Sequence, residues 1–160
     1  MEFARHLYST ITRAHKQATL RTTWARRIRE RLAAEWPGLI PSAGVLLESE
    51  PGCQRQAAHC DYVPSPELAC ADPMPLLVLI AIEPNTTLDV WPLSWQRQCV
   101  RKTIALDALV FRADLIHAGS AYETRNRRIH FYLDSPVVQR EPNRTWIIYK
   151  HAPTALIDET

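Results

Sequence analysis

The chain has 160 residues, of which 46% are hydrophobic and 22% are charged. This length suits one domain with a buried core and leaves little room for a second. The net charge of +2 is too small to indicate a nucleic-acid or anionic-membrane partner by itself. We therefore predict a single domain that spans residues 1–160.

No apolar run is as long as a membrane-spanning helix, and the N-terminus lacks the apolar centre of a secretory signal. We therefore expect an intracellular, cytoplasmic protein with no membrane partner. In that compartment cysteines stay reduced, so we expect free thiols where the cysteine count would otherwise allow two disulfides. The four cysteines are Cys53, Cys60, Cys70 and Cys99.

The first segment, residues 1–36, holds eight Arg and Lys against three acidic residues and has neither proline nor glycine. An apolar residue recurs there every four positions, which predicts an amphipathic helical segment that ends at Pro37-Gly38. The apolar stripe consists of Leu20, Trp24, Ile28, Leu32 and Trp36. We expect this stripe to pack on a sheet. The alternative, a nucleic-acid surface on the basic face, is less favoured.

Beyond residue 36, short β-branched runs alternate with turn signals, and no helical pattern lies between them. This spacing is typical of a sandwich, jelly roll or barrel and not of βαβ units. A proline-rich stretch, residues 64–75, is predicted to be a loop. The predicted strands cover residues 45–50, 56–62, 76–82, 88–91, 102–106, 109–116, 128–133 and 146–149.

Two predicted strands carry side chains that bind metals. His59 and Asp61 are two residues apart, so on a strand they project from the same face while Cys60 points away. His117 follows the apolar strand 109–116. Two imidazoles and one carboxylate form a facial triad that leaves three octahedral positions open, as non-haem Fe(II) requires. Zinc accepts the same ligands, so the triad alone does not select iron.

A third strand carries Arg128, His130 and Tyr132 on one face. A dicarboxylate that chelates a metal at one end needs a cation at the other, and arginine supplies a permanently charged, bidentate group. Arg127 is the alternative if the opposite face of the strand lines the site. We favour Arg128 because its face continues as polar residues, which can line a wet interior.

These residues occur in an order that resembles a known family. The stretch FRADLIHAGSAYETRNRRIHFYLDSP, residues 111–136, and the stretch QAAHCDY, residues 56–62, resemble Fe(II)/2-oxoglutarate-dependent dioxygenases. The similarity is greatest to short members related to phytanoyl-CoA dioxygenases and prolyl hydroxylases. The shared pattern is His-x-Asp, a long gap, His, and then Arg about ten residues later. The resemblance covers residues 45–136.

The sequence departs from the family pattern at two turns. Asp107-Ala108 stands where relatives often have Gly-Asp before the strand of the second histidine. Pro92-Leu93-Ser94-Trp95 stands where relatives have a Pro-Gly-Ser-His turn. The second change leaves open a catalytically inactive β-helix domain that serves as a binding or assembly module.

The resemblance implies a mainly β protein with a double-stranded β-helix, or jelly-roll, core over residues 45–136. The N-terminal segment would brace one sheet, and residues 137–160 would form a C-terminal extension. The implied metal ligands are His59, Asp61 and His117, and the implied cofactor-binding residues are Arg128, His130 and Tyr132. No catalytic residue beyond the metal ligands is implied.

The activity implied is decarboxylation of 2-oxoglutarate to succinate, coupled to oxidation of a substrate C–H bond, as in hydroxylases and demethylases. The substrate stays open among a small molecule, a protein side chain and a nucleobase. Two alternatives to this interpretation also bind a metal. One is a cupin-like metal enzyme that uses no oxoacid. The other is a zinc site built from Cys53, His59, Cys60 and Cys70, which is disfavoured because no C-x-x-C pair occurs.

Overall fold

A computed structural model describes residues 15–92, 99–141 and 145–148 of the chain. The described residues form two antiparallel sheets and two helices. In chain order the elements are β1 (His15–Thr19), α1 (Thr23–Glu35), β2 (Ile40–Pro41), β3 (Val45–Ser49), β4 (His59–Cys60), α2 (Pro66–Ala69), β5 (Leu76–Ala81), β6 (Thr87–Trp91), β7 (Val100–Thr103), β8 (Ala108–Arg112), β9 (Ile116–Gly119), β10 (Asn126–Asp134) and β11 (Trp146–Ile147). Neither helix has the length and apolar character that a membrane crossing needs.

The larger sheet has the strand order β1-β3-β10-β5-β8, and β2 pairs with the end of β10. The smaller sheet has the order β11-β4-β9-β6-β7. Strands that are neighbours in sequence often lie in different sheets, so the chain repeatedly crosses between the two layers. This arrangement confirms the predicted mainly β class and is consistent with a jelly roll.

The core lies between the sheets. Residues paired directly across an antiparallel ladder share a face, and the inward face of β10 includes Arg128, which pairs with Leu47 and Ala81. The interior cluster draws on both sheets and on α2. Its buried members are Tyr62, Leu68, Leu77, Leu79, Ala81, Leu88, Val90, Ile104, Phe111 and Ala113.

The outer face of the larger sheet is covered by α1. The helix begins after Thr22, whose hydroxyl accepts a hydrogen bond from the backbone N–H of Ala25 at 3.1 Å. Leu32 is buried against Ile129, Phe131 and Leu133, and three further stripe residues pack there partly buried. Trp24, by contrast, is 51% exposed, so the predicted apolar stripe is wrong at that position.

The prediction of a helical segment over residues 1–36 needs correction. The helix occupies only Thr23–Glu35, and His15–Thr19 form a strand whose five residues all pair with Val45–Ser49. Pairing with the edge of β3 supplies backbone hydrogen bonds that outweigh the modest helix propensity of this stretch. Residues 1–14 lie outside the described part of the chain.

The predicted strand 109–116 is also wrong, because its residues belong to two strands in different sheets. Ala108–Arg112 pairs with β5, and Ile116–Gly119 pairs with β4 and β6. The corner between them is closed by fully buried Ala113, whose N–H donates to the carbonyl of Pro75 at 3.0 Å. His117 therefore lies inside a strand of the smaller sheet. The predicted loop 64–75 also contains one short helix, α2.

Candidate metal centre

The two histidines of the predicted triad face each other across a strand pair. His59 on β4 pairs directly with His117 on β9, and their ring centroids are 4.5 Å apart. Asp61 follows β4 immediately, 4% exposed, with Oδ1 3.6 Å from Nε2 of His59 and Oδ2 4.0 Å from Nε2 of His117. The structure thus brings the three side chains together, although Asp61 and His117 are 56 positions apart in the sequence.

Backbone carbonyls fix the orientation of both imidazoles. Nδ1 of His59 lies 2.7 Å from the carbonyl oxygen of Ala57, and Nδ1 of His117 lies 3.0 Å from that of Leu115. A carbonyl can only accept, so each Nδ1 carries the proton and donates it. Each Nε2 is then left with a lone pair directed toward Asp61, which is the tautomer that metal-binding histidines adopt.

The three ligand atoms fit around a single divalent ion. They lie within 4.8 Å of one another. Neighbouring ligands of a facial set at roughly 2.0–2.2 Å from one ion are about 3 Å apart, so the side chains would each move by up to roughly an ångström to close around a bound ion. Among the described residues, this is the one group of three or more His, Cys, Asp or Glu side chains close enough to hold a metal.

The local electrostatics keep these groups in the protonation states that a cation needs. Burial, and then the proximity of His59, lowers the pKa of His117 to about 4, so its imidazole is neutral at neutral pH. Burial alone would raise the pKa of Asp61. His117, His59, His130 and the hydrogen bond from Tyr132 together lower it below its ordinary value. Asp61 is therefore a carboxylate, and it faces the neutral imidazole of His117.

Arg128 is buried in the same interior without an acidic partner. It is 2% exposed, and its Nη1 donates to the hydroxyl of Ser49 at 2.9 Å and weakly to Oδ1 of Asn126 at 3.4 Å. The guanidinium lies over the ring of Tyr122 at 5.4 Å. Among described residues, no carboxylate lies within ion-pair distance of it. Burial lowers the pKa of Arg128, as expected for a cation removed from water.

A buried polar layer orients this guanidinium. The Asn126 amide donates to Oδ1 of Asn85 and to the hydroxyl of Thr86, both at 3.1 Å, which leaves its own carbonyl oxygen toward Arg128. The guanidinium also reaches toward the smaller sheet, since a Cβ placed on Gly119 would lie 3.2 Å from Nη2. Arg128 therefore approaches β9, the strand that carries His117, at Gly119, which lies two residues after that histidine.

Arg127 points the other way. Its Nε donates to Oε1 of Glu83 at 2.8 Å, its side chain is 41% exposed, and the paired carboxylate raises its pKa. Alternation along β10 thus places Arg128 inside and Arg127 outside, the orientation that the polar face predicts. Only Arg128 of the two lies in the interior that holds the triad.

The remaining two predicted site residues have different surroundings. His130 is 8% exposed, and burial lowers its pKa to about 4. Tyr132 packs edge-on against His130 with centroids 4.5 Å apart, and its hydroxyl donates to Oδ2 of Asp61 at 3.0 Å. Tyr132 thus contacts a triad residue, whereas Arg128 contacts Ser49 and Asn126.

The sequence patterns did not predict several residues in and around the site. Ser49 could have been found from alternation, because it lies two residues after inward-facing Leu47 and pairs with Asn126. Tyr62, Asp134 and Arg140 carry no such signal, since their contacts form only between distant segments.

The disfavoured zinc site does not form among the described residues. The metal-binding cluster around His59 contains no cysteine among the described residues, and Cys70 is exposed. Cys60 is buried instead, with its thiol 3.9 Å from the carbonyl oxygen of Asp114. Residues 93–95 of the altered turn lie outside the described part of the chain.

No protein-family model matches the sequence, and no curated protein matches it. Among solved structures, the fold is similar to AviO1 from Streptomyces viridochromogenes Tue57, with a TM-score of 0.58 and 17% identity over 81% of this chain and 70% of that one. It is also similar to a prolyl hydroxylase from Trichoplax adhaerens in complex with a hypoxia inducible factor oxygen degradation domain peptide fragment. That TM-score is 0.57, with 14% identity over 75% of this chain and 63% of that one.

A third similar structure is EvdMO1, with a TM-score of 0.51 and 18% identity over 68% of this chain and 30% of that one. At these identities the likeness concerns the fold alone. The described residues form a two-sheet fold consistent with a jelly roll, and the chain spans less than two thirds of the prolyl hydroxylase that is similar to it.

Proposed function

We propose that this protein is an Fe(II)- and 2-oxoglutarate-dependent dioxygenase with a double-stranded β-helix core. The observation that carries the proposal is the buried guanidinium of Arg128, which has no carboxylate partner among the described residues. A buried cation costs several kcal/mol unless an anion compensates it, so a ligand with a free carboxylate is the expected occupant.

The proposed metal ligands are His59, Asp61 and His117. Neutral imidazoles and a carboxylate suit Fe(II), and a facial set leaves positions for a bidentate oxoacid and for oxygen. When bound, the iron would supply the oxidising chemistry that couples decarboxylation of the oxoacid to attack on a substrate C–H bond. The protein's part is to hold the ligand tautomers, which the carbonyls of Ala57 and Leu115 do.

The proposed site for the far carboxylate of 2-oxoglutarate is Arg128 with the Ser49 hydroxyl. Ser49 accepts a hydrogen bond from Arg128 at 2.9 Å and so fixes the guanidinium beside the proposed carboxylate position. Charge-assisted hydrogen bonds of this kind are short and strong in a dry interior. Arg128 is 2% exposed and Ser49 is 0% exposed, so this part of the interior is largely closed to bulk water.

The test is iron-dependent turnover of 2-oxoglutarate. Protein purified without oxygen is loaded with Fe(II), supplied with 2-oxoglutarate and air, and assayed for succinate by NMR. We expect slow succinate formation without substrate, abolished in His117→Ala and Asp61→Ala. Metal binding without succinate formation, with and without candidate substrates, would instead favour a binding module. An Arg128 variant that oxidises a candidate substrate as fast as the unmodified protein would indicate a metal enzyme that uses no oxoacid.

A further inference from the structure

The carboxylate of Asp61 has one hydrogen-bond donor that comes from the opposite sheet. Tyr132 lies on β10 of the larger sheet, and its hydroxyl donates to Oδ2 of Asp61 at 3.0 Å. An ionised carboxylate can only accept a hydrogen bond, so the phenol hydroxyl is the donor. This bond joins the two sheets directly at a proposed metal ligand.

The ring of Tyr132 is itself held in place by a segment that follows β10. The guanidinium carbon of Arg140 lies 3.7 Å from the ring centroid, and its Nε donates to Oδ1 of Asp134 at 3.3 Å. The hydroxyl of Tyr62 donates to the same carboxylate oxygen. Val138, in the same segment, packs against the interior cluster. Arg140 is therefore fixed by an acidic partner while it covers the aromatic face.

From these contacts we infer that Tyr132 is a positioning residue for Asp61 and that Arg140 acts through Tyr132. The inference rests on the proposed metal site. A carboxylate without an external donor rotates about its terminal torsion, which is broad. The Tyr132 bond selects one orientation and leaves Oδ1 on the side of His59, at 3.6 Å from its Nε2. Outer-shell donors of this kind typically contribute about 10- to 100-fold to metal affinity.

The chain offers a matched pair of variants for the test. Tyr132→Phe removes the hydroxyl that contacts Asp61 and keeps the ring under Arg140, whereas Thr22→Val removes a hydroxyl that only caps α1 outside the interior. Each protein is stripped of metal and titrated with Co(II), monitored by calorimetry and by visible absorption. We expect the Co(II) dissociation constant to rise about 10- to 100-fold in Tyr132→Phe, with an altered spectrum. In Thr22→Val the dissociation constant should change less than about twofold, as for a contact away from the ligands.

Arg140→Gln provides a second variant that keeps the tyrosine hydroxyl but removes the cation from its ring. Here we expect the Co(II) dissociation constant to rise about three- to tenfold, the value of a partly desolvated cation–π contact. Arg140→Lys should recover part of that loss. A purely structural role of Arg140 would lower the melting temperature of metal-free protein and leave the Co(II) spectrum unchanged, which would overturn its share of the inference.

The two hypotheses fail differently. If the unmodified protein binds neither Co(II) nor Fe(II), the metal site itself is refuted. If the unmodified protein binds Co(II) and Tyr132→Phe binds it with the same affinity and spectrum, the metal site stands and the positioning role is refuted. Should Tyr132→Phe fail to fold, the Arg140→Gln and Arg140→Lys pair decides the question by the same readout.

Discussion

The guanidinium of Arg128 donates to the hydroxyl of Ser49 at 2.9 Å, and both side chains are buried, at 2% and 0% exposure. Antiparallel pairing of β3 with β10 places these side chains on the same inward face. A positive charge is thereby held in the interior by neutral acceptors, Ser49 and Asn126, and this leaves the charge available to an anion.

Arg128→Lys should weaken 2-oxoglutarate binding, because lysine keeps the charge but loses the planar, bidentate group. A lost charge-assisted pair costs about 1.5–3 kcal/mol, which corresponds to roughly a 10- to 100-fold higher dissociation constant. The measurement is calorimetric titration of 2-oxoglutarate into Mn(II)-loaded protein without oxygen. Arg127→Lys is the control and should bind normally, since its side chain pairs with Glu83 outside the interior. The reverse result for the two variants would refute the assignment.

Metal removal should lower the thermal stability of the protein. A ligand at about 100 times its dissociation constant stabilises the folded state by about 2.7 kcal/mol, so Co(II) should raise the melting temperature by roughly 5–10 °C. Differential scanning fluorimetry with EDTA and with Co(II) measures this shift. Asp61→Asn replaces the charged ligand with a neutral one and should abolish most of the Co(II)-induced rise in melting temperature. If this variant showed the same rise as the unmodified protein, Co(II) would bind at another site.

Gly119→Ala should weaken 2-oxoglutarate binding while metal affinity is retained. The added Cβ would lie 2.6 Å from Oε1 of Gln56 and 3.2 Å from Nη2 of Arg128, so both side chains must move. Gln56 would lose its 2.9 Å hydrogen bond from the Gly119 N–H, and Arg128 would shift from its present position. We expect about a fivefold rise in the 2-oxoglutarate dissociation constant, as for one lost hydrogen bond. A large loss of Co(II) affinity would instead indicate distortion of β9.

The metal-free protein should lose stability as the pH falls from 6.5 toward 4. Burial lowers the pKa of His130 from 6.5 to about 4, so the unfolded chain binds a proton in this range that the folded chain does not. The contribution of neutral His130 to the free energy of unfolding is complete above pH 6.5, and about 2 kcal/mol of that free energy is lost at pH 5. Urea unfolding of the EDTA-treated protein at pH 7.5 and pH 5 measures this difference. His130→Gln should reduce the difference by that amount, and an unchanged difference would contradict the assignment.

Sequence alone determined those features that depend on strand alternation. His59 and Asp61 project to the same side because they are two residues apart. Arg127 and Arg128 are adjacent, so their side chains point to opposite faces of the strand. The mainly β class also follows from local patterns of β-branched residues and turns. Such properties are local, so a single sequence is sufficient to predict them.

Only the tertiary structure decided which strands meet. The pairing of His59 with His117, the division of residues 109–116 between two sheets, and the strand at His15–Thr19 all depend on contacts between distant segments. The bond from Tyr132 to Asp61 is of the same kind. An apolar run has the same period whether it continues straight or turns into a second sheet. The corner at Ala113 and the partners across the interior are set by collective packing, which no local pattern records.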